Sequence, residues 1–121
     1  MVYLIHFDEP YHHARHYLGY VEGTGRRKTS CLVSRLKRHQ AGNGSELLAA
    51  LSRQGRTWRL TRVWWEGTRD LERQLKKAGH VGARNCPFCN QKVLGELVKT
   101  QSSKLKPWTL LASTSTAVAL P

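Results

Sequence analysis

The stretch Val2-Tyr3-Leu4-Ile5-His6-Phe7-Asp8-Glu9-Pro10-Tyr11-His12-His13-Ala14-Arg15-His16-Tyr17-Leu18-Gly19-Tyr20 decides the fold. Its two apolar runs, residues 2–6 and 16–20, read as short β-strands, and the polar residues between them read as a turn. Strands joined by a connection of this length lie side by side and antiparallel, which brings Tyr3 and Tyr17 to one face.

Working outward, Glu22-Gly23-Thr24-Gly25-Arg26-Arg27-Lys28-Thr29 reads as a Gly-rich basic loop suited to backbone phosphates, or equally as a solvated loop. No Gly-Lys-Ser/Thr closes a P-loop there. Ser30 reads as the N-cap of a helix over residues 31–41, stopped by Gly42. Leu32 and Leu36 form its buried stripe, and Arg35 and His39 form a polar row at the edge of that stripe. Ser45-Glu46 opens a second helix with Leu47, Leu48 and Leu51, ended by Gly55. The β-branched and aromatic run 57–65 predicts a third strand. Thr68 caps a third helix to about Ala78, with Leu71, Leu75 and Ala78 inward and Gly79 as its stop. Residues 80–90 read as loop, and Val93, Leu94, Leu97 and Val98 recur at helical spacing. From Gln101 the chain turns Ser/Thr/Ala-rich and reads as a poorly packed tail. Strand, strand, helix, helix, strand, helix predicts an α+β fold. It has a small, largely antiparallel three-stranded sheet flanked by helices, with the main domain over residues 1–90 and a short helix and tail over 91–121.

At 121 residues the chain has room for one modest core. Twenty Lys and Arg face eight Asp and Glu, a net charge of +12, and self-repulsion of that size points to a polyanionic partner, nucleic acid first. No apolar run reaches the roughly 18 residues of a membrane span. His6, Asp8 and Glu9 interrupt the start, so it does not read as a secretory signal. Three unevenly spaced cysteines do not make a disulfide framework, and the expected compartment is the cytoplasm.

Hydrolysing a phosphodiester takes a base for the attacking water, a cation at the phosphorus and often a metal at the leaving oxygen. Arg35 is an always-charged planar donor for two phosphate oxygens. His39 lies one turn further and can orient or share a proton with a base. Glu72 is one of few carboxylates, at the border of a buried stripe. Tyr3 and Tyr17 become usable bases beside positive charge. Each has an ordinary reading too: buried strand rings for the tyrosines, a solvated arginine, a surface histidine, an i,i+4 partner of Lys76 for Glu72, and a turn residue for Asn85.

Taken together, these positions resemble the GIY-YIG nuclease superfamily, which includes homing endonucleases, restriction enzymes and the incision module of nucleotide excision repair. The first motif appears as Val2-Tyr3-Leu4 and the second as Tyr17-Leu18-Gly19. The Arg-x-x-x-His helix appears as Arg35-Leu36-Lys37-Arg38-His39. The family's metal-binding Glu matches Glu72, and its later Asn matches Asn85. The resemblance covers residues 2 to about 90. Val2 stands where the family has Gly, and Leu stands for Ile in both short motifs. The loop before Arg35 is longer than in compact members, and the family's extra DNA-recognition domain is absent unless the tail serves.

The resemblance implies a three-stranded sheet flanked by helices and one-metal hydrolysis of DNA, one strand per centre. Tyr3 is the implied general base, Tyr17 positions water or phosphate, Arg35 stabilises the phosphorane and His39 assists the tyrosine. Glu72 holds Mg²⁺ or Mn²⁺, an ion that needs few protein ligands. Arg26, Arg27, Lys28 and Arg38 are the expected DNA contacts. No small-molecule cofactor is expected, and the protein acts as a monomer or as a transient dimer on DNA.

Two rivals stand beside this reading. One is a basic DNA- or RNA-binding module that does no hydrolysis. The other is a zinc-stabilised nucleic-acid-binding protein built on Cys86-x-x-Cys89, half a zinc site that needs two more ligands such as His80. His12-His13-x-x-His16 is a further candidate metal group, without the Glu of a zincin motif.

Overall fold

A computed structural model describes residues 1–101. Strand β1 (Val2–Tyr11) pairs antiparallel with β2 (Ala14–Tyr20) on one side and with β3 (Trp58–Trp64) on the other, in the order β2-β1-β3. The helices are α1 (Lys28–Gln40), α2 (Glu46–Arg53), α3 (Arg69–Ala78), α4 (Val81–Asn85) and α5 (Gln91–Gln101). This is the expected α+β arrangement. Residues 102–121, on which the tail expectation falls, lie outside the described residues.

Central β1 is covered on both faces, which explains why its start is an unbroken apolar run rather than an alternation. Tyr3, Ile5 and Phe7 pack with Leu32 and Leu36 of α1, Leu48 and Leu51 of α2, and Trp58 and Leu60 of β3. Val2 and Leu4 point the other way, to Leu18 and Cys86, with Leu71 and Leu75 of α3 and Val81 of α4 packed against them. Each fully buried leucine contributes about 1.5–3 kcal/mol to the fold. Between Leu4 and Ile5 the register with β3 slips by one residue. The Thr61 hydroxyl, buried at that bulge, donates to the Leu4 carbonyl at 3.2 Å.

The hairpin is longer and tighter than its apolar runs predict. Both strands continue through the polar residues to Tyr11 and Ala14, leaving a two-residue turn at His12 and His13. His12 takes the left-handed conformation (φ 54°) that such turns use. Long-range polar pairing offsets the lack of apolar residues: the Asp8 N–H donates to the Thr57 carbonyl, and the Asp8 carboxylate takes Thr57 and Arg59.

Ser45 and Thr68 cap α2 and α3 as expected, accepting the N–H of Leu47 and of Leu71. Ser30 is not a cap. A 3-10 turn over Gly25–Arg27 runs straight into α1, which therefore starts at Lys28, and the Ser30 hydroxyl donates back to the Arg27 carbonyl. Ala78 is exposed at the end of α3, not inward. Residues 80–90 are not all loop: α4 forms, with the Arg84 N–H donating to the His80 carbonyl and the Cys86 N–H to the Gly82 carbonyl. Among the described residues no helix is long and apolar enough to cross a membrane.

Candidate active site

Because β2 is an edge strand, helices on opposite faces of the sheet can meet around its edge. Arg35 arrives from α1 and Glu72 from α3. Between them opens a cleft of about 550 Å³ lined by Tyr17, Tyr20, Val21, Glu22, Arg35, Arg69 and Glu72. Leu71 and Leu75 anchor α3 on one face of the sheet, and Glu72, one position on from Leu71, turns past the edge into the cleft. Tyr17, Arg35 and Glu72 are thus brought together, although α1 and α3 lie on different faces.

Tyr3 stands behind this cleft, fully buried. Its hydroxyl meets His39 Nε2 at 2.6 Å. Burial raises the Tyr3 pKa above the usual phenol value, the neighbouring Tyr17 phenol adds to that, and the Arg35 guanidinium opposes it. Gly19 makes the packing possible: a Cβ there would overlap the end of the Tyr3 ring and lie 2.9 Å from Tyr17 Cε1. The glycine of Tyr17-Leu18-Gly19 is therefore a close approach of backbone to phenol.

His39 is also buried, not at a surface edge as its polar row implies. Burial, with Arg35 and Arg38 nearby, brings its pKa down to about 4, so the ring is neutral at pH 7. The Ser45 N–H lies 3.4 Å from Nδ1. A backbone N–H can only donate, so Nδ1 accepts, Nε2 carries the proton, and Nε2 donates to Tyr3. The Tyr17 ring lies beside both, its centroid 6.2 Å from that of Tyr3 and 5.4 Å from that of His39. Gly44 lets the chain close over the imidazole, since a Cβ there would overlap the ring.

Arg35 is half-buried and donates to the Tyr20 carbonyl at 3.4 Å. The Glu72 carboxylate, nearly buried, lies 3.3 Å from Lys76 Nζ and 4.0 Å from Arg69 Nη1. Its ordinary i,i+4 role and its place in the cleft therefore coexist. Arg69, with its guanidinium 4.7 Å from the Tyr20 ring centroid, and Glu22 are cleft residues that sequence reasoning missed. No motif marks either one.

Asn85 does not join them. The short helix α4 carries it toward β3, where its side-chain and backbone oxygens take Arg62 Nη1 at 3.4 and 3.3 Å. Of the expected DNA contacts, Arg27 and Arg38 line a neighbouring groove of about 470 Å³ that shares Val21, Glu22 and Arg35 with the cleft. Arg26 is exposed in the 3-10 turn, and Lys28 is held 2.5 Å from Glu66.

A second group of chemically capable side chains lies on the other face of the sheet. His6 of β1 pairs across to His16 of β2, and Cys86 and Cys89 close on them from the turn after α4. One ligand atom from each lies within 4.8 Å of the others. His80, His12 and His13 are not in this group, and His6 was missed because alone it reads as an ordinary strand residue. Burial, with Arg15 nearby, brings His16 down to about 4 and His6 below its usual value. Burial and the adjacent Cys86 push the Cys89 thiol up to about 11. Among the described residues Glu72 joins no comparable group of three or more ligand-type side chains.

No family model, curated protein or solved structure matches the chain.

Proposed function

We propose that this protein is a divalent-metal-dependent DNA endonuclease of the GIY-YIG type that nicks one strand per active centre. The observation that carries this reading is the convergence of Tyr17, Arg35 and Glu72 on one open cleft, with the Tyr3–His39 hydrogen bond behind it.

The donors run from Ser45 N–H to His39 and from His39 to Tyr3, and the Tyr17 ring packs beside both. Tyr17 is the phenol that faces the cleft, whereas Tyr3 is fully enclosed. The solvent-facing base role therefore passes from Tyr3, where the resemblance assigns it, to Tyr17. Tyr3 and His39 back the Tyr17 ring, with centroids 6.2 and 5.4 Å from it. Once Tyr17 has released its own proton to solvent, the phenolate takes the proton of the water that attacks phosphorus; the bond to the leaving oxygen breaks, and that oxygen takes up a proton from solvent. Arg35 holds the non-bridging oxygens and takes the charge that grows on them, a contribution on the order of 10²–10³ in rate.

The carboxylates of Glu72 and Glu22 on the cleft wall are the hard oxygen donors that Mg²⁺ or Mn²⁺ prefers. When bound, such an ion supplies charge at the leaving oxygen. Arg27 and Arg38 extend the cleft along a basic groove for the flanking phosphates. On this reading the protein works where the DNA is, in the cytoplasm, as a monomer or a transient dimer.

The pairing of Glu72 with Lys76 and Arg69 favours a second reading, a module that binds nucleic acid without cutting it, because the carboxylate is satisfied without a metal. Incubation with supercoiled plasmid and Mg²⁺ separates the two. The nuclease nicks, stops with chelator, and loses nicking in Glu72→Ala and Arg35→Ala while gel-shift binding persists. Binding with no nicking in the parent protein selects the module, and nicking unchanged in Glu72→Ala removes the mechanism.

A further inference from the structure

We propose that His6, His16, Cys86 and Cys89 form a tetrahedral zinc site that staples the Cys86-Pro87-Phe88-Cys89 turn to the β1–β2 hairpin, on the sheet face opposite the Tyr3–His39 pair. The inference rests on this group alone and stands or falls apart from the nuclease reading.

The distances carry it. Zinc bonds of about 2.3 Å to sulfur and about 2.0–2.1 Å to nitrogen, at tetrahedral angles, set ligand atoms about 3.3 Å apart for N···N and about 3.6 Å apart for N···S. His6 Nδ1 and His16 Nε2 are 3.1 Å apart. His6 Nδ1 lies 3.6 Å from Cys86 Sγ and 3.5 Å from Cys89 Sγ, and His16 Nε2 lies 3.4 Å from Cys89 Sγ. These N···S separations exceed the N···N separation only slightly, as the longer zinc–sulfur bonds around one shared ion require. A two-iron cluster with histidines on one iron and cysteines on the other would draw the two pairs apart.

The donor set selects the metal. Two thiolates and two imidazoles suit Zn²⁺, whereas Mg²⁺ and Ca²⁺ take oxygen, and the group contains no carboxylate. Both thiols release their protons to solvent on binding. Two thiolates then balance the ion's double charge, so the half-buried site ends neutral.

The surroundings are shaped for it. Gly82 of α4 lies flat against the His16 ring, where a Cβ would overlap the imidazole. The N–H groups of Cys89 and Asn90 both turn back to the Cys86 carbonyl, at 3.1 and 2.8 Å, fixing the two sulfurs on one side of the turn. Phe88 covers His6 with ring centroids 5.7 Å apart, and Arg59 lies over the outer face of Phe88. Of the turn itself only Cys86 and Pro87 are buried, so apolar packing alone anchors it weakly. Tyr17 follows His16 directly, so the same ion also fixes the strand register that aims Tyr17 into the cleft.

The test is metal analysis of the full chain purified without added metal, followed by Co²⁺ exchange. One zinc per chain is expected. The cobalt form should show the visible bands of tetrahedral Co²⁺ together with thiolate-to-cobalt charge transfer in the near ultraviolet. Cys89→Ser and His16→Gln should each lose the zinc, and Cys31→Ser should keep it. Where the first two variants fail to fold, the cobalt spectrum of the parent protein decides by itself. A protein that takes up neither zinc nor cobalt, a cobalt form without thiolate charge transfer, a Cys86–Cys89 disulfide with no metal, or full zinc in well-folded Cys89→Ser would each overturn the proposal.

Discussion

The Tyr3 hydroxyl meets His39 Nε2 at 2.6 Å, joining the first strand to the last turn of α1 across 36 positions of sequence. Both groups are buried, so neither has water as an alternative partner. The pair fixes the imidazole tautomer through Ser45 and ties the fold's centre to the floor of the cleft.

His39 makes stability fall with acid. Its pKa drops from 6.5 in the unfolded chain to about 4 in the fold. Above pH 6.5 the ring is neutral in both states and the contribution is complete. Between pH 6.5 and 4 the unfolded chain takes a proton that the native ring refuses, and about 3 kcal/mol is lost. His39→Gln retains an N–H donor for Tyr3 but does not titrate. Urea unfolding at pH 7 and pH 4.5 should therefore show the parent protein losing more stability than the variant. Equal losses would contradict the assignment.

Tyr17→Phe and Tyr3→Phe should differ in degree. On the proposed mechanism, removing the cleft-facing hydroxyl takes away the base, a factor of about 10²–10⁴ in nicking rate. Removing the buried hydroxyl leaves that base in place and takes away only the partner of His39 behind it, so nicking falls less. Single-turnover rates on a labelled duplex check this, and equal losses in the two variants would speak against Tyr17 as the base.

Gly19→Ala should cost about 1–3 kcal/mol of stability by overpacking and should disable nicking out of proportion to that loss. The added Cβ can be accommodated only by displacing the Tyr3 phenol from His39 or the Tyr17 ring from the cleft. Thermal unfolding and plasmid nicking on the same preparation measure both effects. A stable and fully active alanine variant would refute the packing argument.

DNA affinity should fall steeply with salt, each phosphate contact adding about −0.9 to the slope of log affinity against log salt on duplex DNA. Arg27→Ala and Arg38→Ala should each flatten that slope by about one. Lys28→Ala should flatten it less, because Glu66 already holds that ammonium. Fluorescence anisotropy titrations over a salt series test the ranking, which fails if Lys28→Ala has the largest effect.

Local features were legible because local physics makes them. Ser45 and Thr68 cap helices through hydrogen bonds two and three residues along the chain. The Leu32–Leu36 stripe is buried, and Gly79, with φ 75°, stops α3. Tyr17, Arg35 and Glu72, which line one cleft, were singled out by the family resemblance. Ser30 misled because a 3-10 turn extends α1 toward the N-terminus, and Asn85 because a five-residue helix crosses the sheet to Arg62.

The sequence by itself determined the kind of molecule: a strongly basic α+β chain, its helix ends, its apolar stripes and three residues of its cleft. Tertiary structure alone decided which groups meet. The register of β1 against β2 sets His6 beside His16 and turns Tyr17 the opposite way, and the edge position of β2 lets α1 and α3 share a cleft from opposite faces. Residues 80 and 83 positions apart come to 3.6 and 3.5 Å at His6 because a fold is closed by strand pairing and packing between distant segments. Periodicity along the chain records which face a residue takes, not which partner waits there.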